Sequence, residues 1–129
     1  MLSAFLEVIA RRPFVNGRHD CALTVAEWVT VATGCPDAAA HLRGRYTTAL
    51  GRERLLRRLG GLEAVMIDCA HLAGRSETTN PVRGDVGLVE SRGQQLAAIC
   101  LGERWAIQGI GIEVRTAERV IRAWSVPHG

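Results

Sequence analysis

The sequence lacks lysine, so all 16 of its basic residues are arginine, and they are spread along 129 residues together with 13 acidic ones. Aromatic residues are also scarce, at 5% of the chain. Nucleic-acid-binding domains usually concentrate basic residues on one face and place aromatic residues among them. The net charge of +3 comes without that pattern. We therefore expect no nucleic acid among the partners.

The sequence also lacks an apolar run of about 18 residues, the length that a membrane-spanning helix needs. No charged stretch precedes the first apolar residues, which Glu7 interrupts and which Arg11 and Arg12 follow. We therefore expect neither a membrane span nor a signal peptide. A length of 129 residues, 47% of them hydrophobic, predicts one domain over residues 1–129 with its own core.

No Cys-x-x-Cys pair is present, since the four cysteines are far apart in the sequence: Cys21, Cys35, Cys69 and Cys100. Zinc and iron–sulfur sites usually need such closely spaced pairs, so we expect no metal and no cofactor. Without an export signal, disulfides are not expected either. Buried thiols are the ordinary interpretation of three of these cysteines, and Cys21 needs separate treatment.

Helical spacing of apolar residues and capping residues dominate the first sixty per cent of the chain. Asp20 and the segment Tyr46-Thr47-Thr48 offer N-caps, and Gly34 followed by Pro36 offers a helix end. A short helix over residues 36–42 is a further option. The predicted helices are Leu2 to Ala10, residues 21 to 33, Ala49 to Leu59 and Glu63 to Leu72.

From Asp85 onward the sequence changes to short β-prone runs separated by turns that contain glycine. Helices that precede an antiparallel sheet indicate an α+β domain, with N-terminal helices packed on one face of a small, curved C-terminal sheet or half-barrel. Trp28, Trp105 and Trp124 are expected in its core or in a groove wall. The predicted strands are Val86 to Val89, Leu96 to Leu101, Trp105 to Ile107, Ile110 to Val114 and Val120 to Val126.

Cys21 stands in the first turn of a predicted helix, directly after Asp20. The positive end of a helix stabilises a thiolate and lowers the pKa of its thiol, so Cys21 is a candidate nucleophile. The alternative is that Cys21 simply packs in the first turn. Its position alone does not decide between the two.

Two motifs favour the interpretation of Cys21 as a functional residue. The first, Asp20-Cys21-Ala22-Leu23, opens a helix, and the second, Arg83-Gly84-Asp85, leads into the first strand. In this order they resemble the papain-like cell-wall endopeptidases of the NlpC type, over about residues 14 to 126. Within that superfamily the sequence is most similar to a group of short phage and prophage proteins encoded near tail genes. That second likeness rests on Asp20-Cys21-Ala22-Leu23, Thr33-Gly34, Leu42-Arg43-Gly44-Arg45-Tyr46, Arg83-Gly84-Asp85-Val86 and Arg122-Ala123-Trp124.

The resemblance implies a papain-like, NlpC-type fold in which Cys21 falls on the nucleophile and Gln108 on the polar residue that orients the base. The base position itself falls on Leu96. Papain-type chemistry uses an imidazole both to take the thiol proton and to protonate the leaving amine, and leucine does neither. Asp20 and the Gly84-Asp85 pair are expected to act structurally, as a helix cap and as a turn before the strand.

The resemblance therefore favours a non-hydrolytic relative: a structural protein of a phage or prophage tail tip or baseplate. It implies other tail proteins as partners, self-association as an option, and a place in the virion tail after assembly in the host cytoplasm.

The alternative is an active cysteine endopeptidase that cleaves peptidoglycan stem peptides. It would need His19, or a histidine from another subunit, as its base, with Gln108 as the orienting group. His41 and His71 are expected at the surface or core edge, and His128 is terminal. The run of arginines in the third helix, Arg52 to Arg58, is expected to be a solvated face. A third interpretation, a module that binds a small ligand or nucleic acid, is supported by the charge of the chain alone.

Overall fold

The computed structural model describes residues 1–127 and shows four helices followed by a five-stranded antiparallel sheet, which confirms the expected α+β class. The helices are α1 Leu2–Ala10, α2 Cys21–Thr33, α3 Ala49–Arg58 and α4 Leu62–Leu72. The strands are β1 Val86–Ser91, β2 Gln94–Cys100, β3 Trp105–Gly109, β4 Gly111–Arg115 and β5 Arg119–Trp124.

The predicted caps fix the ends of α2 and the start of α3. The Asp20 carboxylate accepts a hydrogen bond from the Leu23 amide, and Thr48 Oγ1 accepts one from the Gly51 amide. Gly34 ends α2 with a φ of 75°, in the left-handed region that favours glycine. The optional helix over residues 36–42 is not formed: residues 38–44 are turns, with hydrogen bonds from the Ala40 amide to Asp37 and from the Leu42 amide to Ala39.

The strand order is β4-β3-β2-β1-β5, so that β5 returns to lie beside β1. A tight turn at Arg92-Gly93 joins β1 to β2, and both residues have positive φ, as a type I′ hairpin turn requires. β2 pairs with β3 only at its end, where Ile99 lies opposite Ala106 and Cys100 opposite Trp105. The first half of β2 therefore has no β3 partner, and this is where α2 begins.

The helices lie against one face of the sheet. Thr24 of α2 hydrogen bonds to Gln108 of β3, and Glu63 of α4 forms an ion pair with Arg122 of β5. On the opposite face, Gly87, Ala98 and Ala123 are direct cross-strand neighbours. A Cβ at Gly87 would lie 3.0 Å from the Trp105 ring, so this row of small residues gives the indole its space.

The three tryptophans are all buried, as expected. Trp28 packs on Phe5 with ring centroids 5.4 Å apart and donates its indole N–H to the Gly84 carbonyl. The three tryptophans and the apolar side chains of the sheet belong to the larger part of the core, whereas Leu23, Leu42 and Leu55 belong to a smaller part. None of the helices within residues 1–127 combines the length and apolar character needed to cross a bilayer.

Candidate functional site

Asp20 fixes the start of α2 from a fully buried position. Its Oδ1 accepts the Leu23 amide at 3.1 Å, and its Oδ2 accepts the Gly17 amide at 3.0 Å and the Tyr46 hydroxyl at 2.5 Å. The carboxylate thus caps the helix, as expected, and also joins α2 to the preceding loop and to Tyr46. Its oxygens are committed to these three donors.

Cys21 follows in the first helical turn and is only 4% exposed. The backbone N–H of Ala97 donates a hydrogen bond to its sulfur, at the part of β2 that β3 leaves unpaired. The Arg52 guanidinium of α3 lies 3.9 Å from Sγ. The expectation of a fully solvated α3 face is therefore wrong at Arg52, because this side chain turns inward to the thiol.

Burial raises the pKa of the Cys21 thiol, and the negative charge of Asp20 acts in the same direction. The Ala97 amide and Arg52 favour the thiolate, but they offset only part of the cost of burying a charge. The expectation of a lowered pKa at this helix end is wrong, since desolvation by burial is the largest influence on the thiol and raises its pKa. Cys21 is thus a protonated thiol near neutral pH.

Tyr46 is the second hydroxyl or thiol group of the cluster, and burial together with the neighbouring Asp20 raises its pKa far above the ordinary value. Its hydroxyl therefore stays protonated and acts as a hydrogen-bond donor to Asp20. It supplies no base near neutral pH.

The side chain at Leu96 points away from α2. Ile99 of β2 lies opposite Ala106 of β3, so these two side chains are on the same face of the sheet. Side chains alternate along a strand, so Ala97 and Gln108, each two residues away along its strand, are on that face too. This is the face that α2 covers, because Gln108 contacts Thr24 of α2. Leu96 precedes Ala97 by one residue, so its side chain lies on the opposite face of the sheet. The β2 residue on the α2 face beside Cys21 is therefore Ala97, and the assignment of the base position to Leu96 stays a prediction. Neither residue carries an imidazole.

Gln108 is 3% exposed and braces three elements. Its Oε1 accepts from Thr24 Oγ1 at 3.3 Å, and its Nε2 donates to the carbonyls of Gly111 at 2.9 Å, Gly109 at 3.0 Å and Ile9 at 3.4 Å. Its polar atoms are thus occupied in joining α1, α2 and the β3–β4 turn. These contacts give it a structural role, and its role as the orienting residue stays a prediction.

His19 lies on another side of the α2 start. Its ring is surrounded by Arg12, Arg18, Arg43 and Glu27, and burial, followed by Arg12, lowers its pKa. Its Nδ1 is buried without a hydrogen-bond partner within residues 1–127. No interaction joins this ring to Cys21 in the part of the chain that the structure describes, so the expected Cys21–His19 pair is not formed.

Two of the other histidines lie within the described residues. His41 and His71 are exposed on the surface, as expected, and His128 lies outside the described residues. Across residues 1–127, no group of three His, Cys, Asp or Glu side chains is arranged to hold a metal ion.

The Gly84-Asp85 motif sets the start of β1. Asp85 Oδ2 accepts the Val82 amide at 2.9 Å, and Oδ1 accepts the Val126 amide at 3.0 Å, while Gly84 has a φ of 100°. The motif therefore shapes the turn and ties down the end of the chain beyond β5. This confirms the structural interpretation.

Two site residues, Arg52 and Tyr46, are not predicted by the sequence reasoning. Arg52 lies three residues before the buried Leu55, on the same face of α3, and that spacing is the signal that could have identified it. Tyr46 is the single tyrosine of the chain and is 8% exposed, but no local pattern links it to Asp20, 26 residues away.

Comparison with known proteins gives one match. A family model described as "Domain of unknown function (DUF6950)" matches residues 1–126. No curated protein and no solved structure matches the chain.

Proposed function

The chain belongs to the DUF6950 family, whose description states no function, and we propose that it is a non-hydrolytic NlpC-like domain that serves as a structural component of a phage or prophage tail. The observation that carries the proposal is the placement of Cys21. The thiol lies in the first turn of a helix packed on an antiparallel sheet, and the β2 residue beside it, Ala97, carries no imidazole.

The arrangement of the two sequence motifs supports the NlpC-like part of the proposal. Asp20-Cys21 begins the helix that lies on the sheet, and Gly84-Asp85 begins its first strand. Gln108 lies on the sheet face that α2 covers, as the third polar residue of the family pattern should.

The chemistry of the cluster supports the non-hydrolytic part. Hydrolysis through a thiol requires one group that takes the thiol proton and later gives a proton to the leaving amine. Arg52 stays permanently charged, and Tyr46 holds its proton well above neutral pH. The Asp20 oxygens already accept three hydrogen bonds. No group around Cys21 within residues 1–127 is suited to both steps.

The rival interpretation, an active cysteine endopeptidase, has one feature in its favour. The Arg52 guanidinium, 3.9 Å from Cys21 Sγ, favours the thiolate. Thiolate formation serves only the first step, because protonation of the leaving amine still needs an acid that exchanges its proton near neutral pH. A histidine from another subunit would have to reach a thiol that is 4% exposed.

The tail role rests on the resemblance to phage and prophage proteins, and it predicts other tail-tip or baseplate proteins as partners. A domain that has lost its chemistry is retained for its surface, so we expect either binding to these proteins or self-association. The test is light scattering on the purified domain, alone and mixed with each protein encoded by the adjacent tail genes.

The expected result is a complex of defined mass with at least one tail protein, formed equally by the wild type and by Cys21→Ala, since binding does not use the thiol. A protein that stays strictly monomeric and binds none of the tail proteins would overturn the structural role. A complex that Cys21→Ala abolishes would contradict the separation of binding from the thiol.

A further inference from the structure

A cavity of about 50 Å³ lies where the larger and smaller parts of the core meet. Its walls come from α2, from the loop that follows α2, from α4, and from Val86 and Trp124 at the ends of β1 and β5. Every lining residue except Arg75 is apolar or a cysteine. This cavity is separate from the Cys21 cluster, because Cys21 does not line it.

Small side chains create the space. Alanines occupy the facing positions: Ala22, Ala26, Ala38, Ala39, Ala70 and Ala73. Protein interiors rarely leave voids larger than a water molecule, and apolar voids stay dry and accept apolar ligands. Ala22, Ala26, Cys35 and Cys69 are partly exposed, so the cavity opens to solvent along the edge of α2.

Arg75 supplies the one charge at this cavity. Its Nε donates to the Ala73 carbonyl at 3.1 Å, which holds the guanidinium in place. Its two terminal nitrogens form no ion pair within residues 1–127, in contrast to Arg12, Arg43 and Arg122. A guanidinium fork with free donors matches a carboxylate in shape and charge.

We propose that this cavity binds a small aliphatic monocarboxylate, with the chain among the alanines and the carboxylate on Arg75. An apolar cavity of about 150 Å³ holds benzene, so a third of that volume admits a few carbon atoms while the rest of the chain lies in the open mouth. Hexanoate, with a short aliphatic chain and one carboxylate, is a suitable probe of such a site. The site goes beyond the tail role and does not depend on it.

The experiment is a titration of the isotope-labelled protein followed by amide and indole NMR shifts, with hexanoate, hexanamide and acetate as three separate probes. Hexanoate should cause saturable shifts at Trp124, Val86 and Ala70. Hexanamide keeps the chain without the charge and should bind at least fivefold more weakly. Acetate keeps the charge without the chain and should show no saturable shift.

Arg75→Gln should make hexanoate and hexanamide bind equally, whereas Arg104→Gln, an exposed arginine of the β2–β3 turn, should leave their difference unchanged. Equal binding of hexanoate and hexanamide to the wild type would overturn the proposal, and so would the absence of saturable shifts. The comparison in the wild type decides the question even where Arg75→Gln does not fold.

Discussion

At the scale of single residues, Asp20 accepts two hydrogen bonds, from Gly17 and Tyr46, in addition to the one that caps α2. Replacing it by alanine removes a cap, which costs about 1 kcal/mol, and leaves the buried Gly17 amide and Tyr46 hydroxyl without an acceptor. We predict that Asp20→Ala lowers the free energy of unfolding by about 3 kcal/mol, measured by urea denaturation. Thr48→Ala, which removes an exposed cap, should cost only about 1 kcal/mol. Equal losses in the two variants would contradict the buried network.

The residues of this site differ in how far the sequence could predict them. The capping role of Asp20 and the left-handed Gly34 follow from local chemistry, because a carboxylate before a helix and a glycine after it act on neighbouring backbone groups. The pKa of Cys21 does not follow from the same local view. Desolvation in the folded chain raises this pKa, although Arg52 of α3 and the Ala97 amide of β2, about 30 and 75 residues away, act to lower it.

At the scale of elements, the β1–β2 hairpin contains two glycines with different physical reasons. A Cβ on Gly87 would lie 2.8 Å from the Arg122 carbonyl and 3.0 Å from the Trp105 ring, whereas one on Gly93 would meet nothing within 4 Å. We predict that Gly87→Ala costs about 3 kcal/mol of unfolding free energy through overpacking. Gly93→Ala should cost only about 1 kcal/mol, from its positive φ. Thermal or urea denaturation of both variants checks this order, and a larger loss in Gly93→Ala would refute it.

The alternation along β2 gives a second prediction at this scale. Ala97→His places an imidazole on the α2 face beside Cys21, whereas Leu96→His places one on the opposite face. An imidazole within reach stabilises the thiolate, so Ala97→His should speed iodoacetamide alkylation of Cys21 at pH 7 by about tenfold. Leu96→His should leave that rate unchanged. Peptide mass spectrometry measures alkylation at Cys21, circular dichroism verifies the fold, and the reverse order of rates would contradict the register.

The elements themselves were largely predictable from the sequence. Helical spacing gives α1, α2 and α4 nearly to the residue, and the start of each strand lies within two residues of its prediction. Which side chains of β2 lie on the face that α2 covers could not be predicted in the same way. Residues 97–100 are buried on both faces of the sheet, so no alternation of polar and apolar residues marks which face α2 covers.

At the scale of the whole molecule, the fold places a thiol at the start of a helix and buries it. Cys21 is covered by α3 and β2, its neighbours hold their protons or their charges at neutral pH, and His19 lies among arginines on another side. Within residues 1–127, the structure thus brings no imidazole to the buried thiol.

The central claim is that this site does not hydrolyse peptide bonds, and release of muropeptides from purified sacculi tests it most directly. The wild type and Cys21→Ala should release no more than buffer alone, because no group near Cys21 in the described residues 1–127 both takes and returns a proton. Release by the wild type that Cys21→Ala abolishes would contradict the claim, and its loss in His19→Ala would then identify the base.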